Sequence, residues 1–318
     1  MVSTNHVFSG FAFIGFIIVS TLLPLHIKAG NIGTCAFIVW TGVLCFNGFV
    51  NSIIWDKNVT NWAPVWCDIC GTIAIPSACL CIARHLYHVT KNIFANQRVQ
   101  GQCRAWQAIL FDYLLVLGIP ALIVIFSYVI QVNRFYIFEE IGCYYAIGST
   151  VLTYPLIWVW LTLIALITVI YAGATVRTLI QRRSRFKELI QRHEHVRRLL
   201  ALVIMIFMCS FPPSLWLLVS DIANNPIYSW RSWEFEHANI SEIVQITANT
   251  WQASGSQSVA VLQFTRWAYV MYAAIFFAFF GFTAGAKNHY RLACMFPGSY
   301  PHELSEEDVK SIIESEPN

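Results

Sequence analysis

Cysteines, histidines and a few charges inside apolar stretches are the residues of this chain with chemistry to offer. Cys67 and Cys70 form a C-x-x-C, a spacing that can hold zinc or exchange a dithiol. A structural zinc site needs four ligands, and this pair stands alone at the start of an apolar stretch, so neither metal nor redox chemistry is expected. His85-x-x-His88 and His193-x-His195 are too few for the histidine clusters of a membrane desaturase or hydroxylase, and read as residues of the membrane surface. No Gly-rich phosphate loop, nucleophile elbow or carboxylate pair occurs. The expectation is therefore not an enzyme, with no cofactor, no metal and no nucleic-acid partner. Cys35, Cys45, Cys79, Cys81 and Cys209 fall inside apolar stretches, where a thiol packs as a small apolar residue. Cys294 lies just past the last stretch and is either palmitoylated or a plain juxtamembrane cysteine.

The elements that must position these residues are apolar stretches near 7–25, 31–55, 65–87, 107–131, 151–177, 199–220 and 265–287, each close to or above the ~20 residues that cross a bilayer as helix. Hydrophobic residues make up 57% of the chain and charged ones 12%, and the mean hydropathy is +0.57, a balance that excludes a water-soluble domain of 318 residues. The expected fold is an all-α membrane protein, a seven-transmembrane helix bundle over residues 1–290 with a short acidic tail over 291–318. Helices satisfy every backbone polar group within hydrocarbon. No internal repeat is evident, which argues against a transporter built from repeated halves.

Charge sets the orientation. Sixteen of the twenty Lys and Arg fall in the first, third and fifth connectors, at the span ends beside them, or in the tail, with Lys57, Arg134, Arg231 and Arg266 on the other side. Basic connectors stay cytoplasmic, so the N-terminus is expected outside and the C-terminus in the cytoplasm. Asn58-Val59-Thr60 and Asn239-Ile240-Ser241 are glycosylation sequons, and both fall on the expected outer side. Trp55, Trp62, Trp66 and Trp267 gather at the outer boundary, where amphipathic rings sit among headgroups. The first stretch has no basic region ahead of it, so it reads as a retained helix and not as a cleaved signal peptide.

With that orientation Cys67 and Cys143 both face an oxidising compartment, so a disulfide between them is chemically allowed; the alternative is two free thiols. Ionisable groups within spans are costly and are functional candidates. Asp68 and Arg266 lie at the outer ends of the third and seventh stretches, and either pair with each other or hold a polar part of a ligand. Asp112, near the inner end of the fourth, is placed to answer a loop arginine, and Asn47 and Asn51 share a helix face suited to interhelical hydrogen bonds. Pro212-Pro213 removes two backbone donors from the sixth stretch and should kink it into a hinge.

Several motifs carry a family resemblance. Asn61-Trp62-Ala63-Pro64-Val65-Trp66-Cys67-Asp68-Ile69, then Ile75-Pro76 and Cys81-Ile82-Ala83-Arg84-His85-Leu86-Tyr87, lead through the third stretch. Glu139-Glu140-Ile141-Gly142-Cys143 precedes the fifth, and Arg182-Arg183-Ser184-Arg185-Phe186-Lys187-Glu188-Leu189 follows it. Phe276-Phe277-Ala278-Phe279-Phe280-Gly281-Phe282 lies in the last. Together these resemble the fungal lipopeptide-pheromone (a-factor-type) mating receptors, a fungal class of G-protein-coupled receptor, over about residues 10–290. The resemblance implies a multi-pass receptor of the plasma membrane that senses a peptide with a farnesylated C-terminal cysteine and activates a heterotrimeric G protein. It also implies the Cys67–Cys143 pairing. The third inner connector and the tail look shorter than is common in that family.

On this reading the pheromone-binding candidates are Asp68, Tyr154, Trp158, Trp216, Trp233, His237, Arg266, Tyr269 and Tyr272, with the plainer alternative that the rings only pack helices. An isoprenoid gains roughly 0.8 kcal/mol per buried CH₂, so such a ligand partitions into the bilayer before it reaches the helices. The third external connector, 221–265, is long enough to be a partial lid. G-protein-contact candidates are Arg84, Arg177, Arg182, Arg183, Arg185 and Lys187; Arg84 lacks the acidic neighbour that animal receptors place there. Membrane lipid is a further partner, and a homodimer is allowed. The alternatives are a paralogue with a non-mating ligand and, on topology alone, a seven-helix transporter. A retinal pump is excluded because the last stretch has no lysine at its middle.

Overall fold

The computed structural model describes residues 4–69, 75–95, 102–181, 227–283 and 285–287, together with 198, 201, 202, 204, 205, 212, 215, 218, 219, 222 and 290. These residues are mostly helical. The long elements are α1 (Thr4–Ser20), α2 (Leu23–Lys28), α3 (Ile32–Ile54), α4 (Pro64–Ile69), α5 (Ile75–Ala95), α6 (Gln102–Tyr113), α7 (Ile119–Val129) and α8 (Val159–Gln181). After them come α9 (Trp233–Glu236), α10 (Ala248–Ala253) and α11 (Ser256–Phe280). Five helical runs are long and apolar enough to cross a membrane: Thr4–Lys28, Ile32–Ile54, Trp106–Val129, Tyr154–Thr178 and Ser256–Phe280. The third stretch appears as α4 and α5, and most of the sixth, 199–220, lies outside the described residues.

Local chemistry explains where the helices begin, break and widen. Asn31 caps α3 by accepting from the Thr34 amide at 3.2 Å. The first run breaks at Thr21–Leu22, just before Pro24, whose ring cannot donate to the preceding turn. Leu114–Gly118 and Tyr154–Trp158 are single π-helical turns. The Pro120 ring would strike the Val116 carbonyl in a regular helix, and the wider turn relieves that clash. The last helix starts at Ser256, nine residues before the stretch at 265–287, and ends at Phe280. Its first turns mix Ser256, Gln257, Ser258 and Gln263 with apolar residues, so the helix takes in residues that the sequence pattern leaves to the connector before it.

The core runs between α1, α2, α3, α5 and α11, where Phe37, Ile82, Leu86, Phe276 and Phe280 are buried. Backbones approach closely along it. A Cβ on Gly33 would lie 2.8 Å from the Ile82 amide nitrogen, so only glycine lets α3 and α5 meet there. By contrast Leu122, Ile125 and Tyr128 on α7, and Leu166 and Ile170 on α8, are exposed apolar residues, the surface expected where lipid is the solvent.

The end of the bundle that the charge pattern expects to lie outside (the outer end) carries a small sheet. β1 (Phe135–Phe138) pairs antiparallel with β2 (Gly142–Tyr144), Ile137 opposite Cys143. β1 also pairs in parallel with β3 (Ile243–Ile246), Phe135 opposite Ile243. The order β2-β1-β3 thus joins the second and third external connectors, which lie over 100 residues apart.

Candidate functional site

The outer cap is built around β1 and β2. A disulfide joins Cys67 of α4 to Cys143 of β2, with Cα atoms 5.4 Å apart. Gly142, at φ +107°, presses on Asn51 of α3; a Cβ there would lie 2.4 Å from the Asn51 Cβ. Asn51 in turn accepts from the Trp66 indole at 2.9 Å, which ties α3 to α4. Glu139 holds the third connector: its carbonyl accepts from the Trp251 indole at 3.1 Å, and its Oε2 from the Ala248 amide at 2.7 Å at the start of α10. The Glu140 amide donates to the Trp55 carbonyl at 2.9 Å. Burial raises Tyr144, on β2, to about 12.

Asp68 and Arg266 do not pair with one another. Asp68 accepts a two-point grip from Arg134, Nε to Oδ1 at 3.0 Å and Nη2 to Oδ2 at 2.6 Å, in an exposed pair. The hydrogen bonds to the Asp68 carboxylate raise the Arg134 guanidinium above its ordinary value. Arg266 is only 2% exposed; its guanidinium lies 3.9 Å over the Phe8 ring, and Nη2 donates to Asn5 Oδ1. Asn5 also donates to the Ser52 carbonyl at 3.0 Å and to Asp56 Oδ1 at 2.8 Å. The separation of Asp68 and Arg266 has a plain cause: β1 brings Arg134 onto Asp68, while α1 brings Asn5 onto Arg266. Sequence reasoning passed over Asn5 and Asp56, because nothing in their spacing links a residue near the N-terminus to the end of α3.

The aromatic candidates separate into packing rings and open ones. Tyr272 is buried in the core, and Tyr269 packs over Gly48, where a Cβ would meet its hydroxyl at 2.3 Å. Tyr154 and Trp158 lie half-buried in the π turn that leads into α8. Trp216 lies outside the described residues. Trp233 stacks on His237 with centroids 3.8 Å apart, and the two His237 ring nitrogens lie 2.9 Å from the Trp233 carbonyl and 3.0 Å from the Tyr128 carbonyl. Of the two sequons, Asn239 is exposed, whereas the Asn58 amide donates to the Ile54 and Asp56 carbonyls.

At the opposite end (the inner end) Arg84 of α5 does have an acidic partner, supplied by α6. Asp112 accepts from Arg84 Nε at 3.1 Å and Nη2, and from the Cys81 thiol at 3.1 Å. Arg84 also donates to the Ala108 carbonyl at 3.1 Å and lies over Phe111. Arg177 is exposed, and Arg198 donates to the Phe279 carbonyl at 3.0 Å. Beside Arg198, between α2 and the end of α11, lies a cleft of about 360 Å³ that includes His26 and Thr283. Arg182, Arg183, Arg185, Lys187 and Pro213 lie outside the described residues; Pro212 is helical. No cluster of metal-ligand residues occurs among the described residues.

Comparison with known proteins gives this architecture its relatives. Residues 7–298 match the Pheromone A receptor family. The chain is 33% identical over 303 residues to the Pheromone B alpha 3 receptor of Schizophyllum commune, covering 91% of this chain and 47% of that one. It is 27% identical over 315 residues to Pheromone receptor 1 of Mycosarcoma maydis, 91% of this chain and 83% of that one. It is 23% identical over 224 residues to the Pheromone a factor receptor of Saccharomyces cerevisiae, 67% of this chain and 48% of that one. The chain spans about half the length of the Schizophyllum receptors that it matches. With a match over nearly its whole length, and apolar helices of membrane length throughout it, the chain belongs to the Pheromone A receptor family.

Proposed function

We propose that this chain is a seven-helix receptor of the plasma membrane, N-terminus outside, that binds a secreted farnesylated peptide pheromone and activates a heterotrimeric G protein to trigger the mating response. The observation that carries the reading is the family match across residues 7–298, which takes in the sheet and, but for residues 4–6, all five membrane-length runs among the described residues. The five membrane-length runs, with α4–α5 and the apolar stretch 199–220, make the seven. In this reading the farnesyl chain dissolves in the outer leaflet and slides between helices, and the peptide part meets the cap. Asp68, Trp233 and His237 stand where the cap is open to a ligand, while Arg266, Tyr269 and Tyr272 act from within the helices. Tyr154 and Trp158 stand at the outer half of the fifth span, and Trp216 is assigned to the sixth from its place in the sequence.

Signalling is assigned to the other end. Arg177, Arg182, Arg183, Arg185 and Lys187 are assigned from their place in the sequence to the basic face for the G protein, Arg84 to an inner contact that opens only when Asp112 releases it, and Pro212-Pro213 to a hinge in the stretch 199–220. Agonist acts only through its differential affinity for the two bundle states. The test is expression in a reporter cell stripped of its own pheromone receptors. A set of farnesylated peptides should include at least one that activates the reporter, with its unprenylated form inactive. Silence to every member, at confirmed surface expression, would remove the mating role and leave a receptor of another ligand.

A further inference from the structure

We propose that α9 and the residues leading into it are a foot that rests in the phospholipid headgroup layer of the outer leaflet. The proposal builds on the membrane orientation given above. α9 is only four residues long and closes on itself: the Ser232 hydroxyl accepts from the Phe235 amide at 3.3 Å, and Glu236 Oε1 from the Arg231 amide at 3.3 Å. His237 fixes it to the bundle, with one ring nitrogen 3.0 Å from the Tyr128 carbonyl, just before the end of α7. That attachment leaves large apolar groups uncovered. Trp233 is 46% exposed and Phe235 56%.

What covers them is indicated by the helix beneath. Leu122, Ile125 and Tyr128 recur every three residues along α7 and are all exposed, so they form one lipid-facing stripe. The Trp233 ring lies 6.0 Å from the Tyr128 ring and extends that stripe past the helix end. The order along it is aliphatic, then Tyr, then Trp, which is the order in which a bilayer passes from hydrocarbon to headgroup. Arg231 completes the chemistry: it is exposed, and its guanidinium lies 4.6 Å over the Phe235 ring, covering that face while the N–H groups at its edge are left to meet a lipid phosphate. A soluble protein partner would have no reason to share a surface with the lipid-facing stripe of α7. The foot therefore holds the start of the third external connector in the layer where a lipidated peptide first arrives, a few residues from β3 of the cap.

Replacing the tryptophans with 5-fluorotryptophan in the full chain, in phosphatidylcholine nanodiscs, allows a direct test by ¹⁹F NMR. Trp233→Phe identifies the Trp233 resonance, and Trp160→Phe that of Trp160, an exposed residue within α8. Lipid carrying a spin label on its headgroup should abolish the Trp233 signal, and lipid labelled deep in the acyl chain should abolish that of Trp160. If Trp160 responds and Trp233 is quenched only by a water-soluble relaxation agent, the foot is overturned and the membrane reading stands. If neither responds to labelled lipid, both fall together.

Discussion

The two ends of the bundle are held by different kinds of contact. The outer end is fastened by a disulfide and a three-stranded sheet, and by backbone and carboxylate contacts from Glu139 and Glu140 to α10, Trp251 and Trp55. Among the described residues, α5 and α6 are joined at the inner end by side chains, chiefly Arg84, Asp112 and Cys81, and a cleft of about 360 Å³ opens beside Arg198. Backbone pairing and a covalent link keep one geometry, whereas an ion pair can exchange one partner for another. In the receptor reading proposed above, the difference gives shape to the outer end and switching to the inner one.

The strongest way to break this comparison is to remove the inner acid. Asp112→Ala leaves Arg84 without its carboxylate in a site where both side chains are about nine-tenths buried, at a cost of about 3–5 kcal/mol. The thermal midpoint of the purified receptor should drop sharply. Asp112→Asn keeps the shape and frees Arg84, so basal reporter activity should rise without ligand. An unchanged basal level in Asp112→Asn would show that the pair is structural and not a latch.

Next in size is Cys143→Ser, which opens a link between residues 76 positions apart and should cost about 2–5 kcal/mol. Peptide mapping without reduction should find Cys67 and Cys143 joined in the parent chain. In the variant, ligand response should weaken more than basal activity changes, because the cap and not the inner end is loosened. Gly142→Ala is milder. It forces a side chain into a left-handed conformation against Asn51 and should cost about 1–3 kcal/mol, read as a lower thermal midpoint with the disulfide intact.

How far the sequence revealed each end follows from what hydropathy can report. It reports apolar windows, so four of the five membrane-length runs lie within three residues of the stretches it marks, whereas α11 begins nine residues before 265 and α5 continues to Ala95, past 87. It cannot report pairing across distance. β1 is a four-residue apolar run, Phe135–Phe138, and nothing in it points to Ile243–Ile246 as its parallel partner. For the same reason the sequence offers Asp68 either Arg266, at similar membrane depth, or a polar part of a ligand, and does not point to Arg134, which the fold brings to it. Asp112 is legible as an acid awaiting an arginine because a charge in an apolar stretch needs a partner, yet the expected loop arginine is wrong: the helix packing supplies Arg84 from within α5.

The smallest structural effect is also the sharpest probe of the cap. Arg134 and Asp68 are both open to solvent, and exposed pairs add little to stability however good their geometry. Arg134→Ala should therefore leave the thermal midpoint and the surface level of the receptor unchanged. It does, however, release a carboxylate at the mouth of the cap, next to the disulfide, where the peptide part of the ligand would sit. If Asp68 meets a basic or amide group of the ligand, Arg134→Ala should alter the half-maximal ligand concentration, and Asp68→Asn should alter it in the opposite sense. Raising salt should shrink both shifts together. A stable receptor with unaltered response in both variants would confine Asp68 and Arg134 to the surface, and would move the ligand-facing part of the cap toward Trp233 and His237.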